Sequence, residues 1–181
     1  PLRGHPARPL LWHRRHRRCA GCRGPAAENE RGYFDDYDVR ARIYRGVFAG
    51  GAGATYGHHQ IWQFLDTTRN APVWVGDTII GWQNALNAKA ANHIHHIKDL
   101  MLSRSDFRRV MDNTMIVSEK GTDYNDQIIA TRAISGSYAL VYIPQPKPIE
   151  IDLRYLINFP KKVSWFNPVT GQYLKVGEEY N

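Results

Sequence analysis

Residues 56–64 carry the side chains of this chain that are best suited to chemistry. Aromatic rings, imidazoles and side-chain amides alternate there, and the candidate site residues are Tyr56, His58, His59 and Trp62. Such groups suit a sugar, because aromatic faces cover its C–H surfaces while polar edges bind its hydroxyl rim. In the alternative interpretation, Trp62 and Phe64 belong to a core and the histidines are surface groups or helix caps. The segment by itself leaves both interpretations open.

The element that must position these residues precedes them. Residues 52–56 are short, small and apolar, which predicts a buried strand running directly into the candidate segment. In β/α architectures, ligands bind at strand ends and in the loops that follow them. The preceding Gly51-Ala52-Gly53 is not a phosphate loop, because a dinucleotide fingerprint follows a strand and opens a helix, whereas this one follows a helix. No cofactor is predicted.

Three further histidines fall on a predicted helix and invite a metal interpretation. Of His93, His95 and His96, only His93 and His96 share a helix face, and we expect no carboxylate one turn beyond them on that face. The pattern therefore favours a solvated helix surface, and no metal site is predicted.

The N-terminal residues 1–24 hold seven arginines and no acidic residue, and they account for the whole net charge of +7. One hypothesis is a basic tail that binds polyanions. A second is a metal knuckle at His13, His16, Cys19 and Cys22, which interleaved arginines oppose electrostatically. The third, which we favour, is that the segment is not a natural protein sequence, so no nucleic-acid partner is predicted. Nor is a membrane partner, because no apolar run approaches the roughly 20 residues that cross a bilayer.

Helical periodicity is clear in two places. The first helix begins near residue 35 and is predicted to end at Gly50 and Gly51, with Val39, Ile43, Tyr44, Val47 and Phe48 on one face. The second covers about residues 85–103, with an apolar stripe formed by Ile94, Ile97, Leu100 and Met101. In that helix His93, His95, Lys98 and Asp99 are expected to lie mostly off the stripe.

After residue 103 the period changes to that of strands. Strands are predicted at 114–118, 127–131, 138–143, 149–153, 163–166 and 173–176, with turns at Gly121, Gly136 and Gly171. The last two strands are expected to pair across residues 167–171. A helix–strand–helix segment followed by a run of strands indicates two modules, the second an antiparallel β domain.

Eight short segments of the chain resemble those of a known protein family. The segments GYFDDYDVR (32–40), VFAG (47–50), TYGHH (55–59), IWQF (61–64), LSR (102–104), ATR (130–132), GSYALVY (136–142) and WFNPVTG (165–171) resemble the C-terminal end of the apiosidase-like glycoside hydrolases. The resemblance implies a fold class of α/β plus all-β: the C-terminal fragment of a (β/α)8 barrel followed by a small antiparallel β-sandwich of the collagen-binding-like type. It implies a carbohydrate substrate bound by Tyr56, His58, His59 and Trp62.

Departures from the family pattern bear on activity. The pattern leads us to expect His where Ala54 stands. Retaining glycosidases need two carboxylates about 5 Å apart, and the strand that should supply one is replaced by the arginine-rich stretch. Glu28 and Glu30 are the nearest acids but follow no apolar strand, so the catalytic residues stay unassigned.

We therefore expect a C-terminal fragment of a glycoside hydrolase that acts on plant-type polysaccharide side chains and is inactive alone. Its expected domains are 1–31, arginine-rich; 32–106, the end of the barrel; and 107–181, the β-sandwich. The alternative is a non-catalytic carbohydrate- or protein-binding β module. The natural start is expected upstream, and export from the cytoplasm agrees with the family resemblance. The sequence leaves the oligomeric state open.

Overall fold

The computed structural model describes residues 35–69, 80–123, 125–157 and 161–175. The predictions for residues 1–34, including Cys19, Cys22, Glu28 and Glu30, lie outside these ranges. Two compact units are present: the first takes in Pro1–Asp36 and Thr55–Ala88, and the second takes in Tyr37–Ala54 and Lys89–Asn181. The domain boundaries expected from the sequence stay a prediction.

In the described residues the helices come first along the chain and the strands follow. The helices are α1 (Asp36–Phe48), α2 (His59–Trp62), α3 (Trp82–Ala85) and α4 (Lys89–Leu102). The strands are β1 (Arg109–Met111), β2 (Ile129–Ala133), β3 (Ala139–Tyr142), β4 (Ser164–Phe166) and β5 (Tyr173–Lys175). Short 3-10 turns occupy Asn113–Met115 and Leu153–Tyr155. No helix in the described ranges is both long and apolar enough to cross a membrane.

Helix α1 ends where its glycines predict. The Gly51 N–H donates to the Gly46 carbonyl at 2.9 Å and the Gly50 N–H donates to the Val47 carbonyl at 3.1 Å. This is the Schellman pattern, in which the residue after the helix adopts a left-handed conformation. Gly50 does so with φ of +98°. The predicted helix stop is confirmed.

The main core of the second unit joins α1, α4 and the sheet. Its aromatic centre is Tyr44 and Phe48 of α1 against Tyr142 of β3, with Tyr44 and Tyr142 stacked 5.2 Å apart between ring centroids. From α4 come Ile97, Leu100 and Met101, as its apolar stripe predicts. The helices therefore bury their apolar faces directly on the sheet.

His93 does not lie off that stripe, so this prediction is wrong. Its side chain is only 8% exposed, and its Nδ1 lies 3.1 Å from the Arg40 Nη1 of α1. A residue four positions before Ile97 shares its helix face. Burial of the imidazole is tolerated because Arg40 supplies a polar partner.

The β region forms two antiparallel sheets in the described residues, one of three strands in the order β1-β2-β3 and one of two, β4-β5. Strands β4 and β5 pair with each other, as predicted, and the register places Trp165 opposite Leu174 and Phe166 opposite Tyr173. The turn glycines Gly121, Gly136 and Gly171 all have φ between +71° and +75°, which confirms their predicted role. Strand β1 was missed, because its residues show no alternation.

Two predicted strands are wrong. At 114–118 the structure has the turn Asn113–Met115, because the Asp112 side chain accepts a hydrogen bond from the Thr114 N–H at 3.1 Å. At 149–153 only Ile151 pairs, with Ile116, before Asp152 starts the next 3-10 turn. Side-chain caps of this kind compete with strand ladders. The strand predicted at 127–131 begins two residues later than expected.

The predicted buried strand at residues 52–56 is also wrong. These residues adopt neither helix nor strand, and Ala52, Gly53 and Thr55 are exposed. A parallel strand is stable only when neighbouring strands satisfy its backbone groups, and a short apolar run does not supply them by itself.

Candidate functional site

The candidate residues are positioned by the start of α2. His58 precedes the helix with extended backbone (φ −111°, ψ 128°), and its side chain makes no capping hydrogen bond. One helical turn then places His59 and Trp62 on the same face. Their rings stack with centroids 5.3 Å apart and planes 28° from parallel. Tyr56 meets His58 edge to face at 6.4 Å.

In this segment the histidines are buried and the aromatic rings are exposed, which is the opposite of the interpretation that places Trp62 and Phe64 in a core. His58 and His59 are 7% and 4% exposed, whereas Trp62 is 71% exposed and Phe64 is 67% exposed. The interpretation with core aromatics and surface histidines is therefore wrong. An exposed indole resting on a buried imidazole has one face held and the other open, which is the arrangement of a stacking platform for a ligand ring.

A residue with a strained backbone conformation follows the stacked pair His59 and Trp62. Phe64 has φ of +49°, a conformation that costs a residue with a side chain about 1–2 kcal/mol. It is held there because the Leu65 N–H donates to the Gln60 carbonyl at 2.9 Å and Leu65 is buried. The turn buries Leu65 and leaves the Phe64 ring in solvent. The Phe64 N–H also donates to the Ile61 carbonyl at 3.0 Å, so α2 ends in the same Schellman pattern as α1 and the positive φ has a structural cause.

Sequence reasoning missed Trp82. The Trp82 N–H donates to the Leu65 carbonyl at 2.9 Å, and its ring meets Phe64 edge to face at 5.9 Å. A signal was present in the sequence, because the dipeptide Trp-Gln occurs at both 62–63 and 82–83. Aromatic contacts thus continue from the exposed Phe64 to the half-buried Trp82 of α3.

The environment of His58 favours its uncharged imidazole. Burial lowers its pKa, the neighbouring His59 lowers it further, and Asp36 opposes both. Within the described part of the chain, its Nδ1 is buried without a hydrogen-bond partner. A neutral ring can both donate and accept hydrogen bonds, which is what a hydroxyl ligand requires.

Asp66 is a carboxylate near this segment in sequence, and its chemistry argues against proton donation. It accepts hydrogen bonds from the Thr68 N–H at 2.9 Å and the Thr68 hydroxyl at 2.6 Å. The side-chain bond from Thr68, followed by the backbone bond, holds its pKa below the usual value. A general acid needs a raised pKa, so Asp66 is not assigned that role.

Helix α4 differs from expectation in one further respect. We expected no carboxylate one turn beyond His93 and His96 on their shared face, but Asp99 lies one turn beyond His96 and groups with His95 and His96. Ligand atoms of these three residues all fall within 4.8 Å of one another. In the described part of the chain, they form a group that could hold a metal ion.

Comparison with known proteins decides the family. Residues 16–108 match the model described as the apiosidase-like catalytic domain. The chain belongs to the apiosidase-like family. Residues 110–181 match a second model, described as "Putative collagen-binding domain of a collagenase". The resemblance stated from the sequence is confirmed.

Solved structures agree with this assignment. The apiosidase-like chain is 30% identical to a protein described as a glycoside hydrolase, with a TM-score of 0.78 over 90% of this chain and 35% of that one. It is 29% identical to a glycoside hydrolase family 5 protein from Bacteroides vulgatus ATCC 8482, with the same TM-score, over 90% of this chain and 34% of that one. The chain spans about a third of the length of these structures. Among curated proteins, none matches.

Proposed function

We propose that this chain is the C-terminal part of an apiosidase-like glycoside hydrolase. It would supply the last α/β units of a (β/α)8 barrel, followed by a β-sandwich. A complete barrel takes about 250 residues, and a chain that spans about a third of its solved relatives is too short to close one. The parent enzyme would hydrolyse glycosidic bonds in plant-type polysaccharide side chains, as the family assignment suggests.

The proposal of a sugar site depends on one observation: at residues 58–64 the histidines are buried and the aromatic rings of Trp62 and Phe64 are exposed. A sugar ring would lie against the open face of Trp62, whose other face rests on His59. The neutral His58 would exchange hydrogen bonds with hydroxyls, and Tyr56 would close the polar edge. The bound sugar would then take the place that solvent occupies on Trp62 and Phe64.

The isolated chain would lack hydrolytic activity. Cleavage of a glycosidic bond needs one carboxyl group with a raised pKa and a second that is ionised and about 5 Å away in a retaining enzyme. Asp66 is ionised and engaged by Thr68, so it offers no proton. The two catalytic carboxylates would come from strands of the parent barrel upstream of this segment.

An activity assay tests this proposal. The full 181-residue chain is incubated with aryl glycosides and with apiose-containing oligosaccharides, and released sugar is measured. We expect no release above the background of a heat-denatured sample. Turnover by the chain alone, scaling with protein concentration, would refute the proposal of an incomplete catalytic pair.

A second candidate function is a non-catalytic binding module in the β region. It is favoured by the exposed pair Trp165 and Leu174, which are 48% and 61% exposed and lie opposite each other on β4 and β5. Aromatic and aliphatic groups on one hairpin face could bind carbohydrate or protein.

Matched variants separate the two candidates. Trp62→Ala and Trp165→Ala each remove one exposed indole, so both have a similar effect on solubility. Binding of pectic oligosaccharides is followed by isothermal titration. If the stacked pair His59 and Trp62 of α2 binds sugar, Trp62→Ala weakens binding by about tenfold or more, whereas Trp165→Ala does not. The opposite result would favour the β module.

A further inference from the structure

A cluster of metal-binding side chains lies on one face of α4, outside the proposed sugar site. His95 and Asp99 are four residues apart and His96 and Asp99 are three apart, so all three project from adjacent turns. Their ligand atoms lie within 4.8 Å of one another. Tetrahedral ligands about 2 Å from one ion lie roughly 3.3 Å apart, so side-chain rotation that draws the three groups together would let them share an ion.

The imidazole of His96 is positioned by a second element. Gly171, in the β4–β5 turn, lies so close that a Cβ there would stand 2.5 Å from the His96 Nδ1. The turn is itself fixed, because the Gly171 N–H donates to the Asn167 carbonyl at 2.8 Å. Of the His96 ring atoms, Nδ1 and Cε1 come nearest to that Cβ position, at 2.5 and 2.9 Å. His95 packs against His96 with centroids 4.1 Å apart.

The donor set selects the class of metal. Two imidazole nitrogens and one carboxylate oxygen suit Zn²⁺, Co²⁺, Ni²⁺ and Cu²⁺, whereas Ca²⁺ and Mg²⁺ prefer oxygen ligands. His95 and Asp99 are exposed and His96 is half-buried. Solvent can therefore reach the ion and complete its coordination.

We propose that His95, His96 and Asp99 form a site for a divalent transition-metal ion of the zinc class. The ion bridges adjacent turns of α4 beside the β4–β5 turn. It binds the folded helix more tightly than the unfolded chain, because only the helix brings the three ligands together. Metal binding therefore raises the melting temperature.

The test must exclude the other possible ligands of the chain. We use the full chain in a background that removes the N-terminal candidates: His5→Gln, His13→Gln, His16→Gln, Cys19→Ser and Cys22→Ser. Zn²⁺ is titrated calorimetrically, and Co²⁺ binding is followed by visible absorption. Mg²⁺ and Ca²⁺ are titrated in parallel.

We expect one Zn²⁺ per chain in this background, a rise in melting temperature with Zn²⁺, and neither effect with Mg²⁺ or Ca²⁺. His95→Gln and Asp99→Asn each weaken Zn²⁺ binding by at least about tenfold, since even loss of a supporting partner costs that much. Lys98→Ala changes a neighbouring exposed residue of the same helix and leaves Zn²⁺ binding intact.

Three results would overturn the proposal. One is a Zn²⁺ dissociation constant weaker than about 1 mM in the background chain, the boundary of weak binding. Another is equal affinity in Asp99→Asn, His95→Gln and Lys98→Ala. The third is binding that disappears with the N-terminal substitutions alone. Far-UV circular dichroism confirms that each variant is folded before its affinity is compared.

Discussion

Removing a single hydroxyl from the core should stabilise the chain. Tyr44 is 2% exposed and packs between Tyr142 and Phe48, whose ring centroids lie 5.2 and 6.0 Å from its own. Its hydroxyl oxygen is buried without a hydrogen-bond partner in the described part of the chain. Phe at this position keeps the ring contacts and removes only the unsatisfied oxygen.

The magnitude follows from the cost of burying such a group. An unsatisfied buried donor or acceptor costs about 1–3 kcal/mol, so Tyr44→Phe should raise the free energy of unfolding by about that amount. For a chain of this length, each kcal/mol corresponds to roughly 2–4 °C in melting temperature. Urea unfolding followed by circular dichroism measures the change.

Tyr142→Phe is the matched control. It removes a hydroxyl from the ring stacked on Tyr44, but the Tyr142 oxygen is not among the buried and unpartnered atoms. We expect this variant to be neutral or slightly destabilised. Equal stability changes in both variants, or a loss of stability in Tyr44→Phe, would refute the reasoning.

A pH dependence provides an independent check. Burial, and next the neighbouring Tyr142, raises the pKa of Tyr44 well above its usual value near 10. Above that pH the unfolded chain loses the Tyr44 proton while the folded chain keeps it. Native stability therefore falls as the pH rises beyond about 10. Tyr44→Phe lacks this contribution, so its advantage over the native chain should widen between pH 8 and pH 11.

Two further predictions concern polar and backbone contacts. Asp112→Ala should cost about 1–3 kcal/mol, because it removes a 3-10 cap and leaves the partly buried Arg132, 2.7 Å away, without its carboxylate. Hydrogen bonding, mainly from the Thr114 hydroxyl, lowers the Asp112 pKa, so this contribution should diminish as the pH falls below about 4 and through the lowered pKa, and urea unfolding at pH 7 and pH 3 checks both points. Gly51→Ala should destabilise the chain by more than about 1 kcal/mol, because its Cβ would meet a backbone carbonyl oxygen at 2.7 Å. Gly53→Ala, which meets nothing within 4 Å, should not; equal melting temperatures of the two variants would contradict the predicted clash.

What the sequence determined by itself is local. Helix α1 and its stop at Gly50, the β4–β5 hairpin and the three turn glycines were predicted correctly, and helix α4 was predicted but begins at Lys89 rather than near residue 85. Each depends on contacts between residues a few positions apart, such as helix periodicity, a Schellman turn or a pairing across a short loop. The family motifs belong to the same class, because they can be read without knowing what packs against them.

Tertiary structure decided burial and strand pairing. Arg40 of α1 makes the burial of His93 possible, and Ile116 meets Ile151 in a single bridge where two strands were predicted. At the candidate site, the sequence alone was compatible with either buried or exposed aromatic rings. Folding around Leu65 left Trp62 in solvent and His59 beneath it. These outcomes depend on partners distant in sequence, whose positions no local pattern encodes.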